Sequence, residues 1–111
     1  MRVKNIILII LLVLGTSHLR AQVKTEKFRV LGNCSICEKR IEKAAKSVDG
    51  VASADWNKKT KMIVLTFDSE KTNRHKIQMA IVKSGYDTHE HKAKSKDYHG
   101  LPGCCKYDRP E

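Results

Sequence analysis

Cys34-Ser35-Ile36-Cys37 and Cys104-Cys105 are the residues of this sequence most directly equipped for chemistry. A thiolate is both a nucleophile and a soft metal ligand, so a Cys-x-x-Cys pair is either a metal clamp or a redox couple. Paired thiolates select Cu(I), Hg(II) or Zn(II) over hard ions such as Mg(II) and Ca(II). Toward the C-terminus His89, His91 and His99 add borderline ligands beside Cys104 and Cys105. Several fates are open to that adjacent pair: a composite metal site with His99, a vicinal disulfide, bridges to Cys34 and Cys37, a relay ligand, or an idle flexible tail.

The elements that must position Cys34 and Cys37 follow from hydrophobic periodicity. Val23 to Val30 ends with Phe28 and Val30 on one face, a strand that breaks at Leu31-Gly32-Asn33. From Ser35 the apolar residues Ile41, Ala44, Ala45 and Val48 fall at i, i+3, i+4 and i+7, an amphipathic helix that closes before Asp49-Gly50. The cysteines therefore sit where a strand turns into a helix, beside free backbone N–H groups and the positive end of the helix dipole. Val51 to Asn57 and Lys61 to Asp68 read as two antiparallel strands, with Ile63, Leu65 and Phe67 facing one way. A second helix begins at Thr72 or Asn73 as N-cap, carries Ile77, Ala80, Ile81 and Ser84 along one stripe, and stops at Gly85. Tyr86 to about His91 returns as a short strand. The expected fold class is α+β, a ferredoxin-like βαββαβ sandwich: an antiparallel four-stranded sheet with two helices on one face, followed by a Cys/His-containing C-terminal tail.

The chain has 111 residues, 22 Lys plus Arg and 12 Asp plus Glu, for a net charge of +10. That length holds one small domain and excludes a multidomain enzyme. Arg2 and Lys4 precede an apolar run from Ile6 to Leu14, and polar residues lead on to Leu19-Arg20-Ala21. This is the order of a signal peptide, and the run is well short of the roughly 20 apolar residues that span a bilayer. The expected organisation is a signal peptide over 1–21, a folded domain over 22–91 and a tail over 92–111. In the tail, Lys92 to Lys96 reads as a solvated linker and Tyr98 to Tyr107 as an element of unspecified shape. An exported protein, periplasmic or secreted, meets an oxidising space in which its cysteines form disulfides unless a metal or a reductant holds them as thiols.

Several spaced motifs agree with one family. Val30-Leu31-Gly32, Cys34-x-x-Cys37, Ile41-Glu42-Lys43-Ala44, Gly50-Val51, Leu65-Thr66-Phe67-Asp68, Ala80-Ile81 and Gly85-Tyr86 together resemble the heavy-metal-associated domain family of copper chaperones, copper-pump N-termini and periplasmic mercury-binding proteins. The resemblance spans about Lys24 to Thr88. It implies that Cys34 and Cys37 bind a thiophilic ion, Cu(I) first and Hg(II) or Zn(II) as alternatives, in near-linear coordination open to a third ligand from a partner. It also implies that Tyr86 lies beside the site as an outer-shell residue or packs in the core. A metal-transporting ATPase or efflux system is the partner implied by analogy. The family usually has Gly-Met-x-Cys, whereas Gly32-Asn33-Cys34 is one residue shorter and lacks the Met that packs under the loop.

Other classes fit less well. Thioredoxin-like redox catalysis places a cis-proline against its cysteines, and the two prolines here, Pro102 and Pro110, lie in the tail. RNA-binding domains of this topology stack bases on exposed sheet aromatics, whereas Phe28 and Phe67 are expected inward, so no nucleic-acid partner is expected. The excess of lysine suits a solvated face or an electrostatic docking patch. The sequence thus reads as a monomeric, exported, non-enzymatic carrier or scavenger of soft metal. Cys34 and Cys37 are its primary ligands, Cys104, Cys105 and His99 an accessory group, and the signal peptide its one membrane contact. The competing class is a small disulfide-stapled exported domain that binds a protein partner without metal.

Overall fold

The computed structural model describes residues 22–109; the expected signal peptide lies outside them. Strand β1 (Val23–Arg29) leads through a loop to helix α1 (Ser35–Lys46), then β2 (Val51–Trp56), β3 (Met62–Asp68) and helix α2 (Arg74–Lys83). The sheet order is β1-β3-β2, antiparallel throughout, with Phe28 opposite Ile63 and Ala54 opposite Leu65. Alternation along β3 buries Ile63, Leu65 and Phe67, and these share one core with Phe28, Trp56, Ile41, Ala45, Ile77 and Ile81 from the other strands and both helices. Full burial of such side chains contributes about 1.5–3 kcal/mol each, which is what commits the helices to the inward face. Asn73 caps α2, its side chain accepting from the Lys76 N–H. Among the described residues no helix is long and apolar enough to cross a membrane.

The expected fourth strand does not form. Tyr86 to His91 pairs with the sheet through a single antiparallel bridge, Val30 with Thr88, supported by hydrogen bonds from Leu31 N–H to Asp87 O and from His89 N–H to Arg29 O. The chain then turns back on itself, with Thr88 N–H bonded to His91 O. Beyond the bridge the ladder gives way to other partners, the Asp87 N–H donating to the Tyr107 hydroxyl and the Thr88 N–H to His91 O. The Asp87 carboxylate accepts from the Ala93 N–H at 2.7 Å and from two nitrogens of Arg109 at 2.9 and 3.1 Å.

The tail folds onto the domain. Ser95–His99 forms a short helix, α3, and Gly103–Cys105 a single 3₁₀ turn; within the expected linker, Lys92 to Lys96, Ala93 is buried rather than solvated. Leu101, Cys105 and Tyr107 join the core. The Tyr107 hydroxyl donates to Gly85 O and accepts from the Asp87 N–H, while its ring stacks on Tyr86 and meets Tyr98 edge-on. Gly85 is required at this junction: its φ is +109°, and a Cβ there would stand 2.8 Å from the Asp97 carbonyl oxygen and from the Leu101 side chain.

Tyr107→Phe should cost about 1–3 kcal/mol in urea denaturation under reducing conditions, because it leaves the buried Asp87 N–H and Gly85 carbonyl without partners. A loss below about 0.5 kcal/mol would mean that the tail is not anchored through this hydroxyl.

Candidate metal centre

The loop between β1 and α1 is shaped by what lies beneath it. Gly32 rests on Trp56, where an added Cβ would come within 3.1 Å of the indole and of Ile41. The indole Nε1–H donates to the Val30 carbonyl at 3.0 Å. Lys61 donates to the Gly32 carbonyl at 2.6 Å and lies over the Trp56 ring. Trp56 and Lys61 therefore support the shortened loop that lacks the family's Met. Cys34 is the N-cap of α1, in extended backbone, and its carbonyl receives the Glu38 N–H. Cys37, one turn on, points into the core and is fully buried.

Four sulfurs converge at this helix start. Cys34 Sγ lies 3.2 Å from Cys37 Sγ, 3.1 Å from Cys104 Sγ and 3.6 Å from Cys105 Sγ. Cys37 and Cys105 are joined as a disulfide with their Cα atoms 5.6 Å apart, while Cys34 and Cys104 are free. That bond closes a separation of 68 residues, for which the chain-entropy account gives about 4 kcal/mol. Of the alternatives open for the adjacent pair, the bridge to the Cys-x-x-Cys loop is the one this structure holds. His99 does not join the sulfurs: it is exposed on α3 with its ring against Tyr98. Among the described residues the groups whose ligand atoms gather within 4.8 Å include Cys34, Cys104 and Cys105 but no histidine.

The two free thiols are driven apart in acidity. The hydrogen bond shared with Cys104, with backbone N–H groups of Cys37 and Ile36 and the charge of Lys58 in support, holds the Cys34 thiol below its usual range. The same pairing pushes the Cys104 thiol up. Tyr86 is fully buried, and burial pushes its hydroxyl up against the opposing positive charge of Arg40. That hydroxyl has no hydrogen-bond partner among the described residues, and it stands close enough to Cys34 and Cys104 for their charge to act on it. Tyr86 is thus a core residue that borders the sulfur cluster.

Sequence reasoning missed the residues that hold the tail in place. Asp87, Tyr107 and Arg109 carry no periodic signal, because each acts through one specific partner rather than through a repeated face. The one available hint was composition: two tyrosines, a leucine, a proline, two glycines and two cysteines from Tyr98 to Tyr107 mark an element of its own rather than a spacer.

Comparison with known proteins agrees with this geometry. The model of the heavy-metal-associated domain matches residues 28–87. The mercuric transport protein periplasmic component of Shewanella putrefaciens is 38% identical over 84 residues, 75% of this chain and 92% of that protein. The copper chaperone CopZ of Staphylococcus aureus (strain JH9) is 33% identical over 55 residues, covering 50% of this chain and 81% of the chaperone. The crystal structure of oxidized MerP from Ralstonia metallidurans CH34 superposes with a TM-score of 0.57 at 34% identity, over 60% of this chain and 93% of that one. The chain belongs to the heavy-metal-associated domain family.

Proposed function

We propose that this protein is an exported carrier of a soft d10 ion, Cu(I) or Hg(II), which it binds through the Cys34 and Cys37 thiolates and passes to a partner by ligand exchange. The observation that carries this reading is the approach of the two sulfurs to 3.2 Å at the start of α1, where the helix dipole and free N–H groups favour thiolates. Cu(I) is the ion first expected from paired thiolates. The relative that aligns over 84 residues is named for mercuric transport, which argues for testing Hg(II) beside it. Transfer needs no catalytic base, because an incoming thiolate adds to the open coordination position before a resident one leaves. A metal-transporting ATPase or efflux system suits the role of acceptor, and the basic surface suits docking to an acidic face. Zn(II) is the remaining candidate ion for the same thiolates.

Loading starts from the reduced state. A dithiol reductant opens the Cys37–Cys105 bond by giving it two electrons and two protons and becomes a disulfide itself. The Cys37 thiol is then available beside Cys34. A second reading rests on that same disulfide: a stapled domain, with Cys37 permanently committed to Cys105, that binds a protein partner and no metal.

Anaerobic titration of reduced protein with Cu(I) and with Hg(II) against a competing chelator should show one equivalent bound. The Cys34→Ser/Cys37→Ser variant should lose at least about a thousandfold in affinity, or ~4 kcal/mol. Equal competition by wild type and variant would remove the carrier reading and favour the staple, as would a disulfide that resists millimolar dithiol in the folded protein.

Alkylation provides a pH test. In protein with Cys37–Cys105 intact, Cys34 should react with iodoacetamide at lower pH than an ordinary thiol and Cys104 only at higher pH, because thiolate is the reacting species. Peptide mapping across a pH series reads the order directly. Equal rates at the two positions would mean that the Cys34–Cys104 hydrogen bond does not persist in solution.

A further inference from the structure

The tail brings a second pair of thiols to the first, and its placement is built rather than incidental. Cys104 and Cys105 occupy the 3₁₀ turn between two buried anchors, Leu101 upstream and Tyr107 downstream. Downstream again, Arg109 is locked on Asp87 and over the Tyr98 ring. The turn sends Cys105 inward and leaves Cys104 at the surface, so that both adjacent sulfurs stand within 3.6 Å of Cys34. A segment recruited only to close one disulfide needs one cysteine there. This one presents two, and neither Cys34 nor Cys104 is consumed by the bridge.

The spacing fits a single ion. Four sulfurs arranged tetrahedrally at about 2.3 Å from a metal lie roughly 3.8 Å from one another. The distances from Cys34 to the other three, 3.1 to 3.6 Å, need only a slight opening to reach that value; Cys37 stands outside the group of Cys34, Cys104 and Cys105 whose sulfurs gather within 4.8 Å, and it swings in to join them once its bond to Cys105 is reduced. Charge then selects the ion. Four thiolates around Cu(I) leave a net −3, and Cu(I) is already satisfied by two; around a divalent d10 ion they leave −2, with Lys58 close enough to act on Cys34.

We propose that Cys34, Cys37, Cys104 and Cys105 form one four-sulfur site for a soft or borderline divalent ion of the Zn(II), Cd(II) and Hg(II) group, the tail supplying two of the four ligands. This rests on the reading that Cys34 and Cys37 bind metal, and adds coordination number and ion class to it. The balance is simple. The dithiol that opens Cys37–Cys105 leaves as its disulfide, and the ion displaces the thiol protons to solvent as four metal–sulfur bonds form. In the absence of reductant Cys37 and Cys105 hold each other, and the divalent site is closed.

The test uses protein expressed from the complete sequence, reduced and handled anaerobically, loaded with one equivalent of Zn(II) and measured by X-ray absorption and by chelator competition. Wild type should show four sulfurs at about 2.3 Å. Cys104→Ser should show three and a fall in Zn(II) affinity of at least about tenfold. Cys104 is exposed, so this variant leaves the core intact. Cys105→Ser should also show three sulfurs, and a thermal melt checks that this buried substitution is folded. A wild-type shell with two sulfurs, or an unchanged Zn(II) affinity in Cys104→Ser, overturns the four-sulfur site. So does one ion shared by two chains, because the shell would then come from two copies. If Cu(I) still binds through Cys34 and Cys37 in any of those cases, the carrier reading survives alone; if neither ion binds the reduced wild type, both fall.

Discussion

The carboxylate of Asp87 is the interaction on which the rest of this arrangement depends. It is almost fully buried, and it meets the Ala93 N–H and two nitrogens of Arg109. A buried charge is tolerated only when it is paired and hydrogen-bonded, and removing one partner of such a pair typically costs about 3–5 kcal/mol. Asp87 therefore fixes where the chain after Gly85 must go. Its backbone carbonyl still serves the sheet through Leu31, and its side chain serves the tail. One residue thus ends the sheet and begins the fold-back that carries Cys105 to Cys37.

The parts of the fold legible in the sequence are those written as periodicity. Alternation at Ile63, Leu65 and Phe67 and the helical stripe through Ile41 and Ala45 each repeat a rule over several residues, and the structure buries these residues. The Asn73 cap and the Gly85 stop were legible because their chemistry is local. The fourth strand was misread because Tyr86 to His91 has a strand's composition, while the partners that its polar groups choose lie up to 22 residues away. The sequence places Cys37 with Cys34 at the turn from strand to helix; it lies in the first turn of α1 on the same face as Ile41 and is buried with it.

The loop shows how one chain meets a family constraint with different residues. Without the Met that usually packs beneath it, the shortened Gly32-Asn33-Cys34 segment lies on the flat indole of Trp56, and Lys61 ties down the Gly32 carbonyl from the hairpin side. Lys61 does this from a positive φ of 64°, a conformation that costs roughly 1 kcal/mol or more for a residue with a Cβ. Its ammonium gains a charged hydrogen bond and a cation–π contact in return. Trp56 packs in the core against the sheet, and its donated hydrogen bond to Val30 makes it part of the site's foundation as well.

The sulfur cluster joins stability to chemistry. In the oxidised chain the Cys37–Cys105 bond closes most of the domain into one loop, and the tail's aromatic and ionic contacts hold the same geometry independently of it. That redundancy matters for function. Tyr107 and Arg109 are held by contacts that do not pass through the disulfide, so on the four-sulfur proposal reduction removes the loop-closure contribution and leaves the anchors of Cys104 and Cys105 in place. A tail tethered through the disulfide alone would leave on reduction, at the moment its thiols became able to bind. Anchoring it through Asp87 separates the two roles, which is what the proposed exchange of a sulfur–sulfur bond for bonds to an ion requires.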